Sequence, residues 1–269
     1  MSYDLFERDG VIDRRELLRV GGIAGMGLLG AGLLAGCGGS GAGGSTTTDK
    51  KILNAAATAE ALATTMYYNI ITAAGGIYQT GLAGNAPDRA YLVAGYEEEL
   101  NHYNFLVSAG GQPLATTFYF PTGMFTDPQV TVNTLITLED AFIAAYLIGV
   151  RDFSTASLKV IAAQIMGVEA EHRTLGRVIT NDLGLTSTTG LAGAESVVAP
   201  SATSNNLAYE RTFSTALPDI DHVVSALGPF VSPGASGYAA TAFPFSTASA
   251  AAPSAGQPTV TLAGTTPNG

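Results

Sequence analysis

The chain has one cysteine, Cys37, among 269 residues. That excludes an intrachain disulfide and any thiolate metal cluster. Basic residues are few: 12 Lys and Arg stand against 22 Asp and Glu, for a net charge of −10. Nucleic acid is excluded as a partner on that balance, because phosphate contacts need Lys and Arg. Charge of either sign is scarce, at 13%, roughly half the usual share. There are only three histidines, His102, His172 and His222. What is abundant is apolar or small. The chain is 46% hydrophobic with 33 glycines, and Ala, Ser and Thr dominate several stretches. The length allows one large domain or two small ones, and the composition points to a compact core with low-complexity flanks.

The N-terminus reads as an address. Arg14 and Arg15 precede an apolar run from Val20 to Gly36. That run is shorter than the roughly 20 strongly apolar residues of a membrane span, and it is rich in Gly and Ala. A positive segment, a short apolar run and small residues together describe an export signal over residues 1–36. Arg14-Arg15 followed by Leu17-Leu18-Arg19 resembles a twin-arginine signal. Leu34-Ala35-Gly36-Cys37 resembles a lipobox. The resemblance implies cleavage before Cys37, a lipid on its sulfur, and a membrane-anchored lipoprotein of a bacterial cell envelope. The competing reading is an uncleaved anchor helix with Cys37 incidental. Residues 37–48, "CGGSGAGGSTTT", read as a flexible tether. Without residues 1–36, 8 basic and 17 acidic residues remain, or −9.

Past the tether, apolar periodicity predicts four helices over about 49–74, 86–109, 128–153 and 156–182. Asp49, Asn85, Asp127 and Ser154 or Thr155 are the expected caps; Gly75, Gly110 and Gly184 mark stops. Each helix is about 36 Å long. The link between the third and fourth is short, which makes them antiparallel neighbours. The link between the second and third, residues 110–127, is long enough to cross the bundle end to end: extended, it reaches about 60 Å. The expected fold is all-α, a ferritin-like four-helix bundle at 49–183 with that crossover between helices 2 and 3.

"EEELNHYNF" and "VEAEHRTLG" each hold a glutamate followed three residues later by a histidine: Glu99 and His102, Glu169 and His172. That offset puts both side chains on one helix face, about a turn apart. The first and third helices each carry one mid-helix glutamate on the apolar stripe, Glu60 and Glu139. A buried carboxylate costs several kcal/mol unless it is paired or metal-bound, and four would repel one another. Lys and Arg of the four helices lie mostly near helix ends. Two divalent ions would carry about +4 against the four carboxylates, and carboxylate with neutral imidazole suits Fe or Mn. The predicted metal ligands are Glu60, Glu99, His102, Glu139, Glu169 and His172. Glu97, Glu98, Asp140 and Glu171 read as solvated-face charges, and His222 as a surface residue on a short helix. Tyr67 and Tyr146 each lie seven residues after a candidate ligand, hence on almost the same face. They read as core tyrosines with satisfied hydroxyls, with hydrogen bonding to groups around the ligands or electron donation as the alternative.

The order Glu, Glu-x-x-His, Glu, Glu-x-x-His resembles the ferritin-like superfamily of di-iron carboxylate bundles. The exported N-terminus and extended tail look most similar to bacterial ferritin-like domain proteins related to desiccation-associated proteins. Rubrerythrin-type proteins share the core but add an iron site of four cysteines, which one cysteine cannot supply. The resemblance implies two Fe or Mn ions per chain, and oxidation of ferrous iron or reduction of peroxide or oxygen. A homodimer is compatible with it. The alternative is a structural or stress-protective envelope protein on the same scaffold, with metal only structural or absent. Residues 184–245 are expected to pack on the bundle or a partner and include a short helix; 246–269 read as a disordered low-complexity tail. Tether and tail together argue against a closed ferritin storage cage. Replacing Cys37 by Ser is expected to abolish incorporation of labelled palmitate; a variant that still labels would refute lipidation at this position.

Overall fold

The computed structural model describes residues 46–185 and 217–246. Arg14, Arg15, Cys37, most of the expected tether, part of the extension and the expected tail lie outside the described residues. The described chain forms α1 (Thr47–Thr72), α2 (Ala86–Ser108), β1 (Thr117–Phe118), α3 (Pro128–Asp152), α4 (Ala156–Asp182), α5 (Ile220–Val231) and β2 (Phe243–Pro244). It is an all-α bundle with one short strand pair.

Each long helix starts on a side-chain cap, which satisfies backbone donors that have no partner inside the helix. Asn85, Asp127 and Thr155 cap α2, α3 and α4. At α1 the expectation needs correcting. The helix begins at Thr47, so the tether ends earlier than residue 48, and the cap is Thr46 rather than Asp49. The Asp49 amide donates to Thr46 Oγ1 at 3.0 Å, and the Thr46 amide donates to Asp49 Oδ2 at 3.2 Å. This reciprocal pair is a capping box. Asp49 is fully buried because it has a second task. Its carboxylate accepts from the Ser154 amide at 2.8 Å and from the Ser154 hydroxyl. The start of α1 is thereby tied to the turn between α3 and α4.

The strongest packing is α3 on α4 and α1 on α2, with α1 also lying on α3 and α2 on α4. Gly176 marks the close approach within the α3–α4 pair. A Cβ there would fall 2.7 Å from Leu135 and 2.8 Å from Ile136. α3 is long and apolar enough to cross a membrane, but 83% of its apolar stretch is buried inside the bundle. It is a core helix, with Glu139 at its centre.

The crossover between α2 and α3 is not a bare connection. Phe118, Phe120 and Met124 within it are buried. β1 pairs antiparallel with β2, Thr117 opposite Pro244 and Phe118 opposite Phe243. The Tyr119 amide donates to the Phe230 carbonyl at 2.8 Å, and the Ala239 amide to the Phe120 carbonyl at 2.9 Å. Phe120 meets Phe125, Phe243 and Phe230 edge-on, with ring centroids 5.0, 5.4 and 6.1 Å apart. The short helix of the extension, α5, also packs on α1 and α3. The extension therefore clamps the crossover down on the bundle. Phe120→Ala is expected to lower the unfolding free energy by about 3–5 kcal/mol. Leu114→Ala, at an exposed position of the same segment, should change it by less than about 0.5 kcal/mol. Chemical denaturation of both variants measures the difference.

Candidate metal centre

Each long helix delivers one glutamate to the middle of the bundle. Glu60 on α1, Glu99 on α2, Glu139 on α3 and Glu169 on α4 are at most 1% exposed. His172 on α4 is buried with them, and His102 on α2 is nearly so. Among the described residues no Lys or Arg pairs with these carboxylates. Only the two imidazoles face them. His102 Nδ1 lies 3.3 Å from Glu169, 3.5 Å from Glu60 and 3.8 Å from Glu99. His172 Nδ1 lies 2.9 Å from Glu99, 3.4 Å from Glu169 and 4.0 Å from Glu139.

Two sets of donor atoms emerge, each within a 4.8 Å span and each able to hold a metal ion. One is Glu60, Glu99, His102 and Glu169; the other is Glu99, Glu139, Glu169 and His172. Glu99 and Glu169 belong to both, so the sets adjoin across two shared carboxylates. All six residues singled out by spacing are brought together.

The pattern of unsatisfied atoms matches a ligand set. Buried polar atoms are normally hydrogen-bonded. Here both oxygens of Glu99 and Glu169, one oxygen each of Glu60 and Glu139, and Nδ1 of both histidines are buried without a hydrogen-bond partner. The two Nδ1 atoms are near the carboxylates but not in hydrogen-bonding geometry. The remaining oxygens of Glu60 and Glu139 are occupied. The Tyr67 hydroxyl, from α1, donates to Glu139 Oε1 at 2.8 Å. The Tyr146 hydroxyl, from α3, donates to Glu60 Oε1. Each tyrosine thus leaves its glutamate one oxygen for the centre. The atoms present are mixed carboxylate and imidazole donors, a set that can hold a metal ion.

The sequence matches the family described as Ferritin-like domain over residues 48–182. The chain belongs to the ferritin-like family. No curated protein and no solved structure is significantly similar to it. The match covers the four long helices and stops where α4 stops.

In this ferritin-like domain two residues expected to be solvated charges have partners as well, and one of them, Asp140, is buried. Glu98 is half exposed, yet its carboxylate lies 2.9 Å from His172 Nε2. Asp140 is 3% exposed and accepts from Arg173 Nη1 at 2.7 Å. Asp140 directly follows Glu139 and Arg173 directly follows His172; opposite charges one residue past two ligands were the available signal. For Glu98 there was none, since its partner is on another helix. Glu97, Glu171 and His222 are exposed. Gly95 was also missed. A Cβ there would lie 3.2 Å from Tyr67, so its absence lets the Tyr67 ring, which bonds Glu139, sit close against α2. A groove of about 410 Å³ between α2 and α4 reaches His172, with Asp88, Tyr91, Glu98 and Glu171 along it.

The electrostatics follow from burial and crowding. Burial, then repulsion from Glu99, push the Glu60 and Glu139 carboxyls well above the usual range. Burial would raise Glu99 too, but Glu60, His102 and His172 outweigh it and hold it below its ordinary value. Burial disfavours charged His102 and His172. Hydrogen-bonding contact with Glu169, then with Glu60 or Glu98 and with Glu99, outweighs that and keeps both protonated far above the ordinary imidazole range. At neutral pH the metal-free centre therefore stores protons, and a cation must displace them. Divalent-metal affinity is expected to rise with pH. Binding should release about two protons, from His102 and His172. Calorimetric titration in two buffers of different ionisation heat reads that number; binding without proton release would contradict this electrostatic picture.

Proposed function

We propose that the chain is an exported, membrane-anchored di-metal protein. It holds two Fe or Mn ions per chain at Glu60, Glu99, His102, Glu139, Glu169 and His172. There it oxidises ferrous iron or reduces peroxide or oxygen. The observation that carries this reading is the set of buried, unpartnered donor atoms shared between the two histidines and four carboxylates. Bound at such donors, a pair of Fe or Mn ions supplies one-electron chemistry towards oxygen or peroxide.

The chain's own residues prepare that chemistry. Tyr67 and Tyr146 fix the glutamates of α3 and α1 by holding one oxygen of each. Glu99 and Glu169 keep both oxygens free of hydrogen bonds and belong to both donor sets, so they would help to hold either ion. Glu98 accepts a hydrogen bond from His172 Nε2–H, so that once Nδ1 gives up its proton its lone pair would face the centre. Apolar helix faces exclude bulk water, so charges at the centre act at low dielectric. The groove at His172 admits small molecules and cations from the surface. Export and anchoring rest on Arg14, Arg15 and Cys37 in the sequence, and the shortage of basic residues supports no nucleic-acid role.

The test is metal content and turnover of the purified full-length chain. About two Fe or Mn per chain, with oxygen or peroxide consumption, is the expected result. Glu99→Ala and Glu169→Ala should each lose most of the metal, while Glu97→Ala should keep it. Bound metal without turnover would instead favour a structural or stress-protective envelope protein. No bound metal after reconstitution would end the di-metal reading.

A further inference from the structure

We propose that the two halves of the centre are inequivalent, and that Glu98 makes the Glu139–His172 half the first to take a divalent metal. The proposal rests on the di-metal reading above and concerns which half is stronger.

The centre repeats itself. Glu60 and Tyr67 on α1 correspond to Glu139 and Tyr146 on α3, and Glu99 with His102 on α2 corresponds to Glu169 with His172 on α4. The repeat is obeyed where it touches the donors: the tyrosines cross reciprocally, and the two donor sets mirror each other. It fails one step further out. The residue before Glu99 is Glu98; the residue before Glu169 is Val168. Glu98 reaches across to His172 Nε2 at 2.9 Å. Val168 has no acceptor to offer His102, and among the described residues no carboxylate stands on His102 Nε2.

Two further departures fall on the same half. Four residues before Glu99 stands Gly95, which leaves room for the ring of Tyr67, the tyrosine bonded to Glu139; four before Glu169 stands Ile165. Asp140 and Arg173, which directly follow Glu139 and His172, form an ion pair at 2.7 Å. The corresponding residues after Glu60 and His102 are Ala61 and Tyr103, which cannot form one. The groove between α2 and α4 also ends at His172.

The chemistry gives the direction. A carboxylate on the far nitrogen of a ligating imidazole fixes its tautomer and ring orientation and raises its basicity, and its loss typically costs 10–100-fold in metal affinity. Glu98 is half exposed, so solvent weakens the effect towards about tenfold. Glu98 acts through His172 and is a positioning residue.

The experiment is an anaerobic Co²⁺ titration of the full-length chain, read by calorimetry and by the visible absorption of each bound ion. Wild type should bind in two steps separated by about tenfold or more beyond the statistical spacing of two identical sites. Glu98→Ala should weaken the tighter step by about tenfold and leave the other, while Glu97→Ala leaves both. Val168→Glu, which gives α4 the missing carboxylate, should strengthen the weaker step. Two equal steps in wild type would overturn the proposal. So would a Glu98→Ala variant whose two steps weaken together, the mark of a general structural loss. Binding of no cobalt at all would overturn the di-metal reading and this proposal with it; two ions in equal steps would overturn only the proposal.

Discussion

Four carboxylates meeting in an apolar core is the constraint to which the rest of this structure answers. An isolated buried carboxylate is costly, and neighbouring ones raise the cost further. Those of α2 and α4 keep both oxygens free of hydrogen bonds, and those of α1 and α3 keep one. The protein supplies only two imidazoles as counter-charges among the described residues. Protons supply the rest in the metal-free state, which is why burial and crowding raise the Glu60 and Glu139 carboxyls while the histidines stay charged. A fold selected for stability alone would place Leu or Ala at these positions, since apolar replacements of buried ion clusters are often neutral or stabilising. The cluster is thus a cost the bundle carries for what the cluster can hold.

The bundle carries it through rigidity. All six candidate ligands lie inside helices, where neighbouring turns fix their direction better than a loop does. The reciprocal tyrosine bonds fix how α1 and α3 run. Tyr67 is seven residues, about 10 Å, beyond Glu60 along its helix, and it meets Glu139. Tyr146 is equally far beyond Glu139 and meets Glu60. Both can hold only if the helices are antiparallel, which the long crossover makes possible. That crossover would be a weak point if left loose. The β1–β2 pair, the aromatic cluster around Phe120 and the packing of α5 on α1 and α3 close it. Asp49 does the same at the other connection by gripping Ser154.

The helices and the six candidate ligands were legible because both are local. A cap, an apolar stripe and an i, i+3 offset are read within one helix, without knowing its neighbours. The start of α1 was misplaced for a local reason too: in a capping box the acid sits three residues inside the helix, where Asp49 imitates a cap. What stayed hidden was long-range. The seven-residue offset puts Tyr67 on the ligand face but does not name Glu139 as its partner, and the Glu98–His172 pair leaves no mark in spacing. Asp140 and Arg173 carry opposite charges one residue past two ligands, but that they meet is fixed only when α3 and α4 are laid together. The strand pair is two residues on each side, too short for alternation to declare it, and its partners are far apart in the chain.

A doubled motif invites the assumption of a doubled site. At the donor atoms the two halves are chemically alike, so those atoms alone cannot make one half behave differently from the other. Any difference in order of filling, in access or in retention must come from residues just outside. There the departures do not scatter: Glu98, Gly95, the Asp140–Arg173 pair and the groove all fall on the side of His172. Their counterparts, Val168, Ile165, Ala61 and Tyr103, offer His102 no carboxylate. The rim of this centre, more than its ligands, is where the chain specifies its own chemistry.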